Sequence, residues 1–128
     1  MITKDKVFII TGASAGIGSE LAYQLARKGA HVVCAARTIT KLEALCKNIK
    51  NGGGSALPIQ ADITNKDQCE KIISQTIKTF NRVDGLILNA GISMWAKFDE
   101  IKDVGFFRKI MDTNYMGSVY CVHAALPF

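Results

Sequence analysis

The sequence predicts an α/β fold, a doubly wound parallel sheet covered by helices on both faces. Three observations predict it. Short apolar runs alternate with segments of helical period along all 128 residues. The runs are continuously apolar rather than alternating, as strands buried on both faces are. A glycine-rich turn, TGASAGIG at 11–18, joins the first run to the first helical segment.

Each element follows in order. KVFII (6–10) reads as a buried strand. Ile17 to Lys28 reads as a helix with Ile17, Leu21 and Leu25 on one face, and Gly29 stops it. HVVCAA (31–36) is the second strand. Thr40 is placed to cap a helix whose apolar residues are Leu42, Leu45, Cys46 and Ile49. NGGG (51–54) is a turn, and SALPIQA (55–61) the third strand. Asn65 to Phe80 is a helix with Cys69, Ile72, Ile73, Ile77 and Phe80 on one face. VDGLIL (83–88) is the fourth strand. From Asp103 a long helix runs through Val104, Phe107, Met111 and Val122. The order βαβαβαβα implies strand order 3-2-1-4, within one domain over residues 1–128. Ligands of such sheets bind where the strand order reverses, here between strands 1 and 4 at their carboxyl ends.

Composition narrows the function classes. The chain is 48% hydrophobic and 21% charged, ordinary for a globular domain. No apolar stretch approaches a membrane span. Val7 to Ile10 is too short for the apolar core of a signal peptide. The expected location is therefore the cytoplasm, with membrane association through segments outside this chain as the alternative. Cys34, Cys46, Cys69 and Cys121 have no metal-ligand or redox spacing and read as buried, reduced thiols. The net charge is +5, and residues 1–50 hold eight Lys/Arg against three Asp/Glu. The whole basic excess thus lies in the half with the glycine turn, which suits an anionic ligand. No basic run is interleaved with aromatics, so no nucleic-acid partner is expected.

The glycines have a physical use. Gly12 makes the tight turn out of the strand. Gly16 lets the backbone approach a pyrophosphate. Gly18 lets the helix pack closely on the sheet. The amides of Ala15 and Ile17, the hydroxyl of Ser14 and the positive end of the helix dipole then face phosphate. A Walker loop is excluded, because Ser19-Glu20 follows Gly18 where Lys and Ser/Thr are needed. The end of strand 2 selects the cofactor. NAD sites, and methyltransferases, want a carboxylate there; this chain reads Ala36-Arg37-Thr38. Arg37 can hold a 2′-phosphate with its planar fork and Thr38 can add a hydroxyl, so NADP (NADPH) is the expected cofactor.

These residues resemble the short-chain dehydrogenase/reductase family. The matching motifs are Thr11 to Gly18, Asn89-Ala90-Gly91 after strand 4, Asp62 in QADIT, and Asn114 in MDTNYMGS. The stretches LAYQLARKGAHVVCAAR and LILN, with the ending AALP, resemble its 11-beta-hydroxysteroid dehydrogenase-like branch. The resemblance implies a Rossmann fold and an NADP(H)-dependent oxidoreductase interconverting a carbonyl and an alcohol. It implies that Asp62 and Ile63 flank adenine and that Asn89, Ala90 and Gly91 line the ribose side. It implies that Asn114 belongs to the catalytic set, holding a water in a proton relay. Leu88 departs from the family's usual Asn at that position, which is expected to affect packing more than chemistry. The partner is a small carbonyl or alcohol, and a homo-oligomer is expected of the complete protein.

The family's chemistry also needs a Ser and a Tyr-x-x-x-Lys. Four residues after Tyr23, Tyr115 and Tyr120 stand Arg27, Val119 and Ala124. The sequence is therefore expected to be an N-terminal portion of a longer reductase, inactive alone, with strand 4 an exposed apolar edge. The alternative is a non-catalytic NADP(H)-binding protein, a redox sensor or partner subunit. A fold with no ligand affinity is the third reading. Asp84 reads as a cap or bridge at a strand start, and His31 and His123 as structural. Met94-Trp95 reads either as lining a cleft or as an apolar loop anchor.

Overall fold

A computed structural model describes residues 2–128. Four parallel strands, β1 (Val7–Thr11), β2 (His31–Ala36), β3 (Ser55–Gln60) and β4 (Gly85–Ile87), lie in the order β3-β2-β1-β4. The expected order and direction are both found. β1 and β2 pair in register from Val7↔His31 to Thr11↔Ala35, and β1 and β4 from Phe8↔Gly85 to Ile10↔Ile87.

Side chains alternate across the sheet because each strand residue points opposite to the last. Phe8, Ile10, Val32 and Cys34 enter the core under helices α1 (Gly16–Arg27) and α2 (Ile39–Asn51). Val7, Ile9, Val33 and Ala35 enter the core under α3 (Lys66–Phe80) and a C-terminal helix. Burial on both faces explains why the strands carry no polar alternation.

Local details differ from the sequence expectations. Ile17 is 80% exposed, and the buried face of α1 is Gly18, Ala22, Leu25 and Ala26. Starting the helix at Gly16 turns Ile17 outward on its first turn. The residue before α2 is Thr38, and Thr40 lies inside the helix. β4 has three residues rather than six. The long fourth helix is subdivided into α4 (Gly105–Met111), a π turn (Asp112–Met116) and α5 (Gly117–Ala125), preceded by a short 3-10 turn at Phe98–Glu100. α3 begins as expected, with the Asn65 side chain accepting from the Gln68 amide at 3.2 Å.

Small structural roles are settled by contacts. Asp84 Oδ2 accepts from the Val7 amide at 2.8 Å, and its carboxylate receives a two-pronged bond from Arg82. It bridges the start of β4 to the start of β1, as its sequence position suggests. His31 Nδ1 pairs with Ser55 Oγ at 2.8 Å and its ring stacks on Phe80. All four cysteines are free and buried. β4 pairs only with β1, and beside its other edge Leu88, Val122 and Leu126 are exposed.

Candidate cofactor site

A cleft of about 330 Å³ opens at the carboxyl ends of the strands. It lies where the order reverses between β1 and β4, with β1 leading to one wall and β4 to the other. Gly12, Ser14, Ala15, Arg37, Thr38, Asp62, Ile63, Asn89, Ala90 and Gly91 all line it. The structure thus brings together ten expected residues from four separate loops.

The wall from β1 is shaped by its glycines. Gly12 has φ +66°, and a Cβ there would stand 2.8 Å from Ala90 Cα. A Cβ on Gly18 would stand 2.5 Å from the Gly12 carbonyl oxygen and 2.6 Å from Asn89 Nδ2. Gly18 therefore lets α1 close onto the turn, while lying behind the cleft surface. Gly16 has φ +60° with open space around its Cβ position, so its backbone is accessible from outside. Ala15, at the N-cap of α1, offers no side-chain acceptor to the first-turn amides, and no acidic residue stands in that turn. A helix start of this kind has unpaired donors and a positive dipole end. Its chemistry fits a diphosphate.

The opposite wall is held by one hydroxyl that the motif reading did not single out. Thr11 Oγ1 accepts from the Asn89 and Ala90 amides, each at 3.1 Å. Asn89 Nδ2 in turn donates to the carbonyls of Thr11 and Gly12, at 3.2 and 3.1 Å. Asn89 thus ties the glycine turn to the end of β4. The signal available was position: Thr11 is the last residue of a strand otherwise wholly apolar.

At the far end, Arg37 and Asp62 face one another across the rim. Asp62 Oδ1 accepts from the Thr64 amide at 3.0 Å and hydroxyl at 2.7 Å. Burial opposes ionisation of this carboxyl. The two Thr64 bonds and the Arg37 charge outweigh it and hold the group below the usual Asp range. The Arg37 guanidinium forms no salt bridge among the described residues. It is a free cation at the end of β2, with no carboxylate beside it on that strand.

Asn114 sits in the π turn, near the cleft mouth but not on its lining; Thr113 and Ile92 line it instead. The Asn114 side chain is engaged on both its atoms by the main chain of Ile92. Met94 and Trp95 do not reach this cleft; they line a separate open hollow with Ala96, Lys97 and Glu100, and Trp95 is fully exposed, so its side chain is no loop anchor. Among the described residues there is no cluster of His, Cys, Asp and Glu that could hold a metal ion.

Comparison with known proteins agrees with this geometry. The family model for short chain dehydrogenase matches residues 6–128. The chain is 40% identical over 124 residues to 11-beta-hydroxysteroid dehydrogenase 1A of Arabidopsis thaliana, covering 96% of this chain and 36% of that protein. A short-chain type dehydrogenase/reductase from Mycobacterium marinum superposes with TM-score 0.91 at 34% identity, covering 98% of this chain and 51% of the other. A metagenomic short-chain oxidoreductase in complex with NADP superposes with TM-score 0.90 at 27% identity, covering 97% and 56%. The chain spans about a third of the length of the curated relative and about half of the solved chains.

Proposed function

This chain belongs to the short-chain dehydrogenase/reductase family of oxidoreductases, and from that premise we propose that it holds NADP(H) for a reaction interconverting a carbonyl and an alcohol. The observation that carries the reading is the free Arg37 at the end of β2, on a cleft whose other end is a glycine turn against an uncapped helix start. The first-turn amides of α1 and Ser14 hold the diphosphate. Arg37 and Thr38 hold the 2′-phosphate. Asp62 and Ile63 flank the adenine, and Asn89 to Gly91 line the ribose side.

When bound, the nicotinamide supplies a hydride acceptor or donor. The chain's own residues bind and orient. Asn89 fixes the turn against β4. Asn114 fixes Ile92 beside the cleft and, in this reading, belongs to the catalytic set through the position it occupies rather than a free side chain. No Tyr-x-x-x-Lys is present in residues 1–128, so this chain alone binds cofactor without turnover. The substrate is a small carbonyl or alcohol, and the complete protein is a homo-oligomer. No described helix is long and apolar enough to cross a membrane.

The test is fluorescence titration with NADPH and NADH. NADPH is expected to bind the more tightly, and R37A to remove that preference. Equal affinities in the unsubstituted protein refute the NADP reading. Turnover of a carbonyl substrate by residues 1–128 alone refutes the assignment of missing catalytic groups.

A further inference from the structure

The main chain that carries the cation at the end of β2 is held from another part of the chain. Arg37 lies just beyond β2, and its main-chain carbonyl accepts from Gln60 Nε2 at 3.0 Å. Gln60 is the last residue of β3, paired in register with Ala36. Its own carbonyl accepts from Lys71 Nζ, on α3, at 2.9 Å. Arg37, Gln60, Asp62, Gln68 and Lys71 line a shallow hollow just outside the main cleft. Arg37, Ala61 and Asp62 border both.

We propose that Gln60 is a positioning residue for coenzyme choice, setting the main chain that aims Arg37 at the 2′-phosphate. The inference rests on the reading of Arg37 given above. An exposed arginine loses side-chain entropy when it grips a phosphate. Fixing its backbone beforehand reduces what binding must still order. Gln60 does this with a neutral donor. A glutamate at 60 could not donate to the Arg37 carbonyl when ionised, and would place a negative charge beside the phosphate. Lys71 steadies β3 at the same point and brings a second cation to the hollow.

The effect is specific to a ligand that carries the 2′-phosphate. NADH lacks that group, so its affinity serves as a control for folding and for the rest of the cleft. The experiment is titration of NADPH and NADH against the full-length protein and its Q60A, Q60E, K71M, R37A and R37A/Q60A variants. Q60A is expected to weaken NADPH by about threefold to tenfold, the effect of one hydrogen bond, and to leave NADH nearly unchanged. Q60E weakens NADPH further, and K71M shifts it less in the same direction. In the R37A background, Q60A has no additional effect, because Gln60 acts through Arg37. Equal losses for both nucleotides on Q60A, or additive effects of R37A and Q60A, overturn the proposal. A preference that R37A abolishes and Q60A spares overturns the role of Gln60 and leaves the role of Arg37 standing. An unsubstituted protein with no preference for NADPH overturns both.

Discussion

Asn114 clasps the main chain of Ile92 in both directions, with Nδ2 donating to its carbonyl and Oδ1 accepting from its amide, each at 2.8 Å. The side-chain amide thereby imitates a neighbouring strand for one residue. The π turn carries Asn114 to that place, and the clasp fastens the loop after β4 to the helix beyond it.

Removing the clasp should loosen the loop without unfolding the sheet. The site is exposed, so water re-solvates the freed groups and N114A costs about 1 kcal/mol. Amide exchange at Ile92 should then rise about fivefold, since 1.4 kcal/mol is a factor of ten. N114D keeps an acceptor but, once ionised, loses the donor. Below about pH 4, where Asp carboxyls protonate, the acid can donate again and the clasp should recover. Exchange at Ile92 that is identical in N114A and the unsubstituted protein would contradict this account.

Two glycines seven residues or fewer from Thr11 should respond very differently to alanine. At Gly18 the new Cβ meets a carbonyl oxygen of the turn and the Asn89 amide, at 2.5 and 2.6 Å. The oxygen is backbone and cannot step aside, so G18A is overpacked and costs about 3 kcal/mol. At Gly16 the space is open and only the positive φ resists, at about 1 kcal/mol. Urea unfolding should show a much larger loss of stability for G18A. Equal losses would mean that the turn relaxes as a whole.

The contrast shows what the sequence carries. The strand order, the glycine turn and the cation after β2 were legible because each depends on local residue type and chain order. Ile17 was misplaced because hydropathy counts it as core, whereas the true core face of α1 relies on Gly18, Ala22 and Ala26, whose small size hydropathy undervalues. The π turn at 112–116 inserts a change of period too short to register in an apolar pattern. Thr11, Gln60 and Ile92 escaped for a different reason. Their roles are bonds between residues 22 to 79 positions apart, which no local window contains.

The cysteines give a prediction of inertness. Cys34 and Cys69 are fully buried, the Cys69 thiol donates to the Ile63 carbonyl at 3.2 Å, and the neighbouring Cys46 and Cys121 thiols together with burial push the Cys34 and Cys69 thiols above the usual range. Because all four sulfurs are shielded from solvent, a disulfide-exchange reagent should reach none of them in the folded protein at pH 8. All four thiols should react together on unfolding in urea. A single fast-reacting thiol in the native state would show that one of the two pairs opens locally.

Asp84 sets the acid limit of the β1–β4 junction. The Arg82 bond favours its ionised form, partial burial opposes it, and the Val7 amide, the Arg82 charge and Lys6 add to the first effect. The balance holds its carboxyl below the ordinary value of about 3.9. Because the folded pKa is the lower one, the unfolded chain takes up the proton first as pH falls. The resulting stability is complete above the unfolded value and is lost as pH drops through the folded one. D84N keeps an acceptor for Val7 but has no charge to titrate. The stability gap between the unsubstituted protein and D84N should therefore be constant from pH 6 to 8. It should begin to close near pH 4 and continue closing below it. Asp62, also held low, titrates in both proteins and cancels. D84A removes the acceptor as well and should lose about 1 to 3 kcal/mol at neutral pH, the cost of leaving the Val7 amide unpaired. Urea midpoints measured at intervals from pH 3 to pH 8 decide the matter, and a gap of the same size at pH 7 and pH 3 would show that the Asp84 charge contributes nothing to the fold.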